Sequence, residues 1–267
     1  MPSNAPGITT HLALSAAMAI LWSSGCETPP ASQAGRPTDD LAATSPGIPA
    51  STATEELLTV LTSGSVDRAR IEELLRSGAD PNAVQGDSLR NPALLVAAMN
   101  LKTEAQISPV LSTLIRAGAD VDGRNANGVT AACAGITFND HSVEVLRVLL
   151  DHGANPNLIL PGRMNLLTAA IINSPCRELV PMVLATDVDV NLANAQGLTP
   201  LALSISGCTS MCDAILERGG SADASFTMRN GRTVLEFAEF VAENDREFAR
   251  SGTLAMLRAQ AASRATP

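Results

Sequence analysis

Apolar side chains recur along the chain with a helical period, interrupted by short turn signals. In RIEELLRSGADPN (70–82), Ile71, Leu74 and Leu75 lie at positions i, i+3 and i+4, so one face of the predicted helix is apolar. Gly78 supplies the left-handed backbone that ends a helix, and the Asp-Pro-Asn after it favours a turn. The stretch therefore predicts a helix that ends in a tight turn and needs a neighbour to cover its apolar face.

This phrase occurs repeatedly. Its copies are LLRSGADPN (74–82), LIRAGADVD (114–122), LLDHGANPN (149–157), VLATDVDVN (183–191) and ILERGGSAD (215–223). The turn residues Gly78, Gly118, Gly153, Asp187 and Gly219 are successively 40, 35, 34 and 32 positions apart. A spacing of about 33 residues is typical of one supersecondary unit repeated along a chain.

A second signature follows each turn. It is clearest in GLTPLALSI (197–205), with weaker copies in NPALLVAAM (91–99), GVTAACAGI (128–136), MNLLTAAII (164–172) and GRTVLEFAEF (231–240). Thr130 and Thr199 stand where a helix N-cap is wanted, and Pro200 follows at a first helical position, where its missing N–H costs nothing. Each unit is therefore predicted to be a helix, a tight turn, a hairpin-like finger and a second helix.

With both signatures in register, residues 54–262 resemble the ankyrin-repeat family, whose consensus reads roughly G-x-T-P-L-H-x-A-A and then L-L-x-x-G-A-D-V-N. The resemblance implies an all-α solenoid of about five to six helix-turn-helix units with short hairpin fingers, each unit burying its apolar face on the next. It also implies a protein that binds other proteins along the concave face made by the fingers and inner helices.

The chain departs from that consensus at several places. The consensus His, which ties neighbouring units in the family, is replaced by Leu95, Cys133, Thr168, Ala202 and Glu236. We therefore expect a less regular stack.

Two irregular units are also predicted. Pro181 lies inside the helix that precedes Asp187, which predicts a short or kinked helix there. The stretch 101–108 is predicted to be an insertion in the turn between two helices.

Composition narrows the possible functions. One Trp, no Tyr and five Phe argue against an aromatic-rich β-sandwich, and a net charge of −9 argues against nucleic acid or an anionic membrane surface as partner. The sequence has no phosphate-binding loop, no Gly-x-Ser-x-Gly elbow and no Cys/His pairing. We expect His141 and His152 at the start of a helix and in its closing turn. The protein is thus expected to be non-enzymatic, with no cofactor and no metal.

The first residues suggest export. HLALSAAMAILW (11–22) is too short for a membrane span but fits the core of a secretory signal. The small residues before Cys26 resemble the lipobox of bacterial lipoproteins, so 1–25 would be the signal peptide and Cys26 the lipidated residue. Ser23 stands where that motif usually has Leu, and the leader lacks Lys and Arg. Secretion with cleavage after Ala19, or an unprocessed disordered tail, are the alternatives.

Residues 26–53 are rich in Pro, Ser and Thr and predict a flexible tether between the anchor and the repeats, while 263–267 predict a disordered tail. Arg is used almost to the exclusion of Lys and Ala is abundant, which is typical of a GC-rich bacterial genome. We therefore expect a lipid-anchored protein of the cell envelope that faces the periplasm. Glu27 beside the Cys favours the outer membrane.

Four cysteines remain after Cys26. Cys133 is expected to be buried. Cys176 and Cys208 align near the helix-helix turns of adjacent units, where an irregular turn could bring them close enough for a disulfide. Cys212 is a competing partner, and fully reduced thiols are an equal alternative. A Cys-x3-Cys pair with no His nearby is a poor zinc site.

Two fingers have apolar tips where turn chemistry favours polar residues, in LILPGRM (158–164) and SFTMRNG (225–231). The predicted partner-binding residues are Leu158, Ile159, Leu160, Arg163, Met164, Phe226, Met228 and Arg229. These side chains could instead pack between fingers as additional core.

The sequence therefore predicts a monomeric protein-interaction module on the bacterial envelope, with an unidentified protein partner and a role in immunity or as a scaffold. A structural envelope component without a single client, or a cytosolic ankyrin adaptor, are the alternative functions.

Overall fold

A computed structural model describes residues 50–64, 66–173, 178–205, 209–221 and 231–264. The helices within these ranges are α1 Ala50–Ser63, α2 Arg68–Arg76, α3 Ala93–Asn100, α4 Glu104–Arg116, α5 Ala131–Phe138, α6 Ser142–Asp151, α7 Leu166–Asn173, α8 Leu179–Leu184, α9 Pro200–Ile205, α10 Thr209–Glu217, α11 Val234–Asn244, α12 Arg246–Arg250 and α13 Gly252–Arg264. Extended pairing in these ranges is confined to isolated β-bridges.

The helices form two rows. An inner row runs α1, α3, α5, α7, α9 and α11, and an outer row runs α2, α4, α6, α8, α10 and α13, with each helix packed on the next of its row. Six helix pairs are thus stacked side by side, which confirms the predicted all-α solenoid.

The core is continuous because the inner helices are apolar on all sides. Every residue from Ala93 to Ala98 in α3 is buried, and so is every residue from Ala131 to Ile136 in α5. A helix that is apolar all round must be covered all round. Here its two row neighbours and the outer helix provide that cover, so no unit is stable as an isolated pair of helices.

The local turn signals are confirmed. Gly78, Gly118, Gly153 and Gly219 have φ values of 91°, 98°, 84° and 88°, the left-handed region in which Gly is favoured. As predicted from Pro181, α8 is short, with six residues.

The predicted helix starts are also confirmed. The Thr130 hydroxyl accepts a hydrogen bond from the N–H of Cys133 (3.4 Å), and the Thr199 hydroxyl accepts one from Ala202 (3.2 Å). Pro200 is the first residue of α9.

The predicted insertion at 101–108 is wrong. Only residues 101–103 connect α3 to α4, and the following residues form the first turns of α4, which has 13 residues against 9 in α2 and 10 in α6. The extra sequence lengthens an outer helix because Ile107, Val110, Leu111 and Leu114 continue one buried stripe.

The solenoid begins with α1 at Ala50, four residues before the predicted boundary at 54, because Ala53, Leu57 and Leu61 form a buried stripe with period four. It ends with α13 at Arg264. The predicted signal peptide, Cys26 and the tether up to residue 49 lie outside the described residues. Among the helices that are described, none is both long and apolar enough to cross a bilayer.

Candidate interaction surface

Each unit projects a short finger between its turn and its next inner helix. We number the fingers 1 (83–92), 2 (123–130), 3 (158–165) and 4 (192–199). Isolated bridges close the first three, pairing Val84 with Pro92, Arg124 with Thr130 and Leu160 with Met164. The backbone bonds Asn125 N–H to Val129 O (3.0 Å) and Asn194 N–H to Leu198 O (3.0 Å) show that fingers 2 and 4 share one geometry.

Asparagine side chains at the ends of the turns tie one unit to the next. The Asn82 amide donates to the carbonyl of Gly118 (2.8 Å) and accepts from the N–H of Asp120 (2.7 Å). Asn157 bonds in the same way to Asp187 and Asp189, at 3.0 and 2.6 Å. Asn191 does so with Gly219 and Ser221, at 3.1 and 2.8 Å. We call this double hydrogen bond the asparagine clamp; it ties units although the consensus His is absent.

One clamp is incomplete. Asp122 occupies the clamp position in the second copy of the turn and accepts from the N–H of Asn155 (3.0 Å). A carboxylate has no N–H, so it cannot donate to the carbonyl of Gly153 as an Asn would. This clamp therefore has one hydrogen bond where the other three have two.

Fingers also bond to one another through the backbone. The N–H of Ala126 donates to Leu89 O (2.8 Å), and the N–H of Ala195 donates to Gly162 O (2.7 Å). Between fingers 2 and 3 the equivalent donor would belong to Pro161, which has no N–H. There the guanidinium of Arg124 donates to the carbonyl of Ile159 instead, at 2.8 Å.

Finger 3 contains five of the predicted partner-binding residues, and they differ in their exposure. Leu160 and Met164 are only 4% and 6% exposed and belong to the core, so their prediction as exposed contact residues is wrong. They form the bridge that closes the finger, and this register directs both side chains into the stack. Leu158 is half-buried, while Ile159 and Arg163 are exposed. Phe226, Met228 and Arg229 lie outside the described residues, as do Cys176 and Cys208.

Two arginines have a backbone conformation that favours glycine. Three residues before the inner helix, fingers 2 and 4 have Gly128 and Gly197 at φ 78° and 77°. At the same position finger 1 has Arg90 at φ 50° and finger 3 has Arg163 at φ 56°. Holding a residue with a side chain in this region costs on the order of 1 kcal/mol. Sequence reasoning missed Arg90, although counting back three residues from each inner helix would have shown that Arg replaces Gly at this position.

These residues lie on a surface that is both apolar and cationic. Val84, Leu89 and Ile159 are 38%, 40% and 47% exposed. The fingertip surface, as we define it, consists of those three side chains and the exposed arginines Arg90, Arg124 and Arg163. It borders a cleft of about 570 Å³ between α1 and finger 1, lined by Leu58, Thr59, Thr62, Ser63, Gln85, Gly86 and Asp87.

The fingertip surface carries little negative charge. Asp87 is the one acidic residue in the sequences of fingers 1 to 4. Its Oδ1 accepts from the backbone N–H groups of Leu89 (3.1 Å) and Arg90 (2.9 Å), so this carboxylate is engaged in the turn. The chain as a whole has a net charge of −9. A cationic patch on an acidic molecule favours a partner of opposite charge at that place.

The histidines and cysteines of the described residues lie in structural positions. His141 lies at the start of α6, with Nε2 2.9 Å from Lys102 O, and His152 lies in its closing turn, with Nδ1 2.8 Å from Val148 O, which are the positions expected from the sequence. Cys133 is buried as predicted, and burial raises the pKa of its thiol to about 11. Cys212 is buried beside the Ser204 hydroxyl, 3.2 Å away.

No family model matches the chain. A protein of Treponema pallidum (strain Nichols) described as ankyrin repeat-containing is 33% identical over 86 residues. The aligned part is 32% of this chain and 26% of that relative, so the chain spans about a quarter of the relative's length. This similarity supports the ankyrin-type interpretation of the repeats.

A solved structure shares the fold over most of the chain. It is the predatory endopeptidase Bd0816 from Bdellovibrio bacteriovorus in complex with immunity protein Bd3460. The matched chain has a TM-score of 0.57 and 22% identity, and the match covers 76% of this chain and 97% of that one. At this level of identity the likeness concerns the fold.

Proposed function

We propose that this protein is a non-enzymatic interaction module that binds a protein partner across the fingertip surface and the adjoining cleft. The observation that carries the proposal is that three exposed apolar side chains and three exposed arginines lie on three consecutive fingers. Single apolar side chains are ordinary on a protein surface, whereas exposed apolar side chains on neighbouring elements with arginines beside them are typical of binding sites. The rigid stack beneath would hold the patch in one shape, which lowers the entropy lost on binding.

The proposal extends to location. We propose that the protein is exported, lipidated at Cys26 and held by the tether on the periplasmic side of the bacterial envelope, with the outer membrane favoured. The short apolar run of 11–22, which ends just before small residues and Cys26, supports this. Since the solenoid begins at Ala50, 23 tether residues would separate it from the lipid. Such a tether would keep the fingers clear of the bilayer.

Two biological roles fit a monomeric module of this kind. An immunity role, in which it covers a harmful enzyme, is favoured by its likeness in fold to a complex that contains an immunity protein. A scaffold role would use the same surface for an envelope protein. A structural component without a single client, or a cytosolic adaptor, would differ in partner or location.

A matched pair of surface variants tests the interaction. Ile159→Asp places a charge on the fingertip surface, and Met256→Asp places the same charge on α13, where Met256 is also exposed. The full-length variants are expressed in host cells and purified from solubilised membranes, and co-purifying proteins are quantified by mass spectrometry. We expect Ile159→Asp to lose a specific protein that wild type and Met256→Asp retain. Identical partner profiles for all three would contradict the proposal and favour a component without a client.

A further inference from the structure

We propose that Arg90, Arg124 and Arg163 form a carboxylate-binding strip, and that the segment docking there is an acidic stretch of the partner protein in which Asp or Glu alternates with apolar residues. This rests on the proposed function and specifies the chemistry of its partner.

Two of these arginines have a backbone conformation that favours Gly. The finger position of Arg90 and Arg163 is occupied by Gly in fingers 2 and 4, and by Gly231 before α11, all with positive φ. The fold therefore accommodates Gly there without an unfavourable backbone. Residues with side chains in strained backbone conformations are concentrated at functional sites. The strain points to a role for the two guanidinium groups.

The ion pairs among the described residues do not include Arg90 or Arg163. The ion pairs of the described residues join other side chains, such as Arg70 with Glu73 and Arg258 with Glu239. Neither Arg90 nor Arg163 makes a side-chain hydrogen bond or ion pair with a described residue. Both side chains are exposed, so these charges are accessible to a partner.

The three arginines lie on neighbouring fingers of an acidic protein. Arg124 lies on the finger between those of Arg90 and Arg163. Only one N–H group of its guanidinium donates to Ile159 O. Three guanidinium groups on consecutive fingers match a row of carboxylates, because the planar fork of Arg binds a carboxylate with two parallel hydrogen bonds. The acidic remainder of the chain repels an acidic segment elsewhere, so binding is directed to this strip.

The strip also has an apolar component. Val84, Leu89 and Ile159 expose apolar surface among the arginines. A purely anionic ligand would leave that surface in water, whereas apolar side chains beside the carboxylates would cover it. The strip therefore fits an acidic segment with apolar residues, rather than a free anion.

The test uses glycine variants, because Gly suits the backbone at both positions. Arg90→Gly/Arg163→Gly is compared with Arg76→Gln/Arg116→Gln, which removes two exposed charges at the ends of α2 and α4. The full chain is titrated by fluorescence anisotropy with three labelled peptides: alternating Leu and Glu, the same peptide with Gln for Glu, and oligoglutamate. Thermal melting of each variant is measured in parallel.

We expect wild type and the Gln control to bind the Leu-Glu peptide best, with an affinity that falls as salt is raised. The glycine variant should bind it at least about tenfold more weakly and melt at the same or a higher temperature. Equal peptide binding by wild type and the glycine variant would overturn the inference. So would failure of wild type to bind, equal binding of the Gln peptide, or a lower melting temperature of the glycine variant. If the glycine variant still retains the partner that Ile159→Asp loses, the inference fails while the proposed function stands.

Discussion

The amide oxygen of Asn82 accepts a hydrogen bond from the N–H of Asp120, 2.7 Å away in the next unit. The amide nitrogen of the same side chain donates to Gly118 O, so one Asn joins both ends of the neighbouring turn. Equivalent clamps at Asn157 and Asn191 hold later units, and Asp122 provides only half of one. The stability of this stack therefore depends partly on polar contacts between units, and these can be altered one at a time.

The incomplete clamp can be completed. Asp122→Asn should add a donor for the Gly153 carbonyl and remove a negative charge near Asp120, raising the free energy of unfolding by about 0.5 to 1 kcal/mol. Asn157→Asp is the reverse change in an intact clamp, and it should lower stability by a similar amount or more. Urea denaturation measures both. Changes of the same sign in the two variants would show that the clamps do not act as described.

The core position of Leu160 has a direct consequence for stability. Leu160→Ala should lower the free energy of unfolding by roughly 2 to 5 kcal/mol, because it leaves a cavity beneath finger 3. Ile159→Ala, one residue away on the exposed side, should cost less than about 1 kcal/mol. Thermal and urea unfolding compare them. A Leu160→Ala protein as stable as Ile159→Ala would place Leu160 at the surface, as its prediction as a partner-binding residue required.

Leu160 also shows where sequence reasoning reached its limit. The glycine turns and the Thr130 and Thr199 caps could be predicted because they depend on residues within a few positions of one another. The repeat spacing could be predicted because the same local pattern recurs along the chain. Whether Leu160 or Ile159 faces inward depends on which residue opposes it in the finger, here Met164. A change of register by one residue reverses every side chain.

The clamps and the strained arginines could not be predicted from the sequence for a different reason. The Asn of each turn was explained by local turn chemistry, yet Asn82 contacts a backbone carbonyl 36 positions later. Arg90 was overlooked because finger 1 is longer than the others, so its match with Gly128 appears only when both are counted back from α3 and α5. Contacts between units can be identified only when the positions of the stacked units are known.

The buried thiol of Cys133 predicts sensitivity to alkaline pH. Burial raises its pKa from 9.0 to about 11, so the unfolded chain releases the proton before the folded protein does. The contribution of this thiol to the free energy of unfolding is therefore fully present below pH 9. It is lost as the pH rises towards 11, which lowers the free energy of unfolding by up to about 2 to 3 kcal/mol. The chain has no Tyr and a single Lys, so the other four cysteines are the main further groups that titrate in this range, and the comparison with a Cys133 variant isolates its share. Cys133→Ala should flatten the decline; an unchanged slope would contradict the assignment.

The proposed anchor gives a prediction of location. Metabolic labelling with palmitate should mark the wild-type protein in its host and not Cys26→Ser, because only a Cys can carry the thioether-linked lipid. Cys212→Ser is the matched control for loss of a thiol and should label normally. Fractionation should place labelled protein in the outer membrane. Equal membrane association of wild type and Cys26→Ser would contradict lipidation at Cys26.

Site-specific photo-crosslinking tests the central claim most directly. A benzophenone amino acid is placed at Ile159 on the fingertip surface, or at Arg116 at the exposed end of α4, in the full-length protein within host cells. Illumination links the probe only to molecules in direct contact, and mass spectrometry identifies them. We predict one dominant protein crosslinked through position 159 and absent from position 116, with an acidic segment at the crosslinked site. Equal products from both positions, or none from position 159, would contradict the fingertip surface as the binding site.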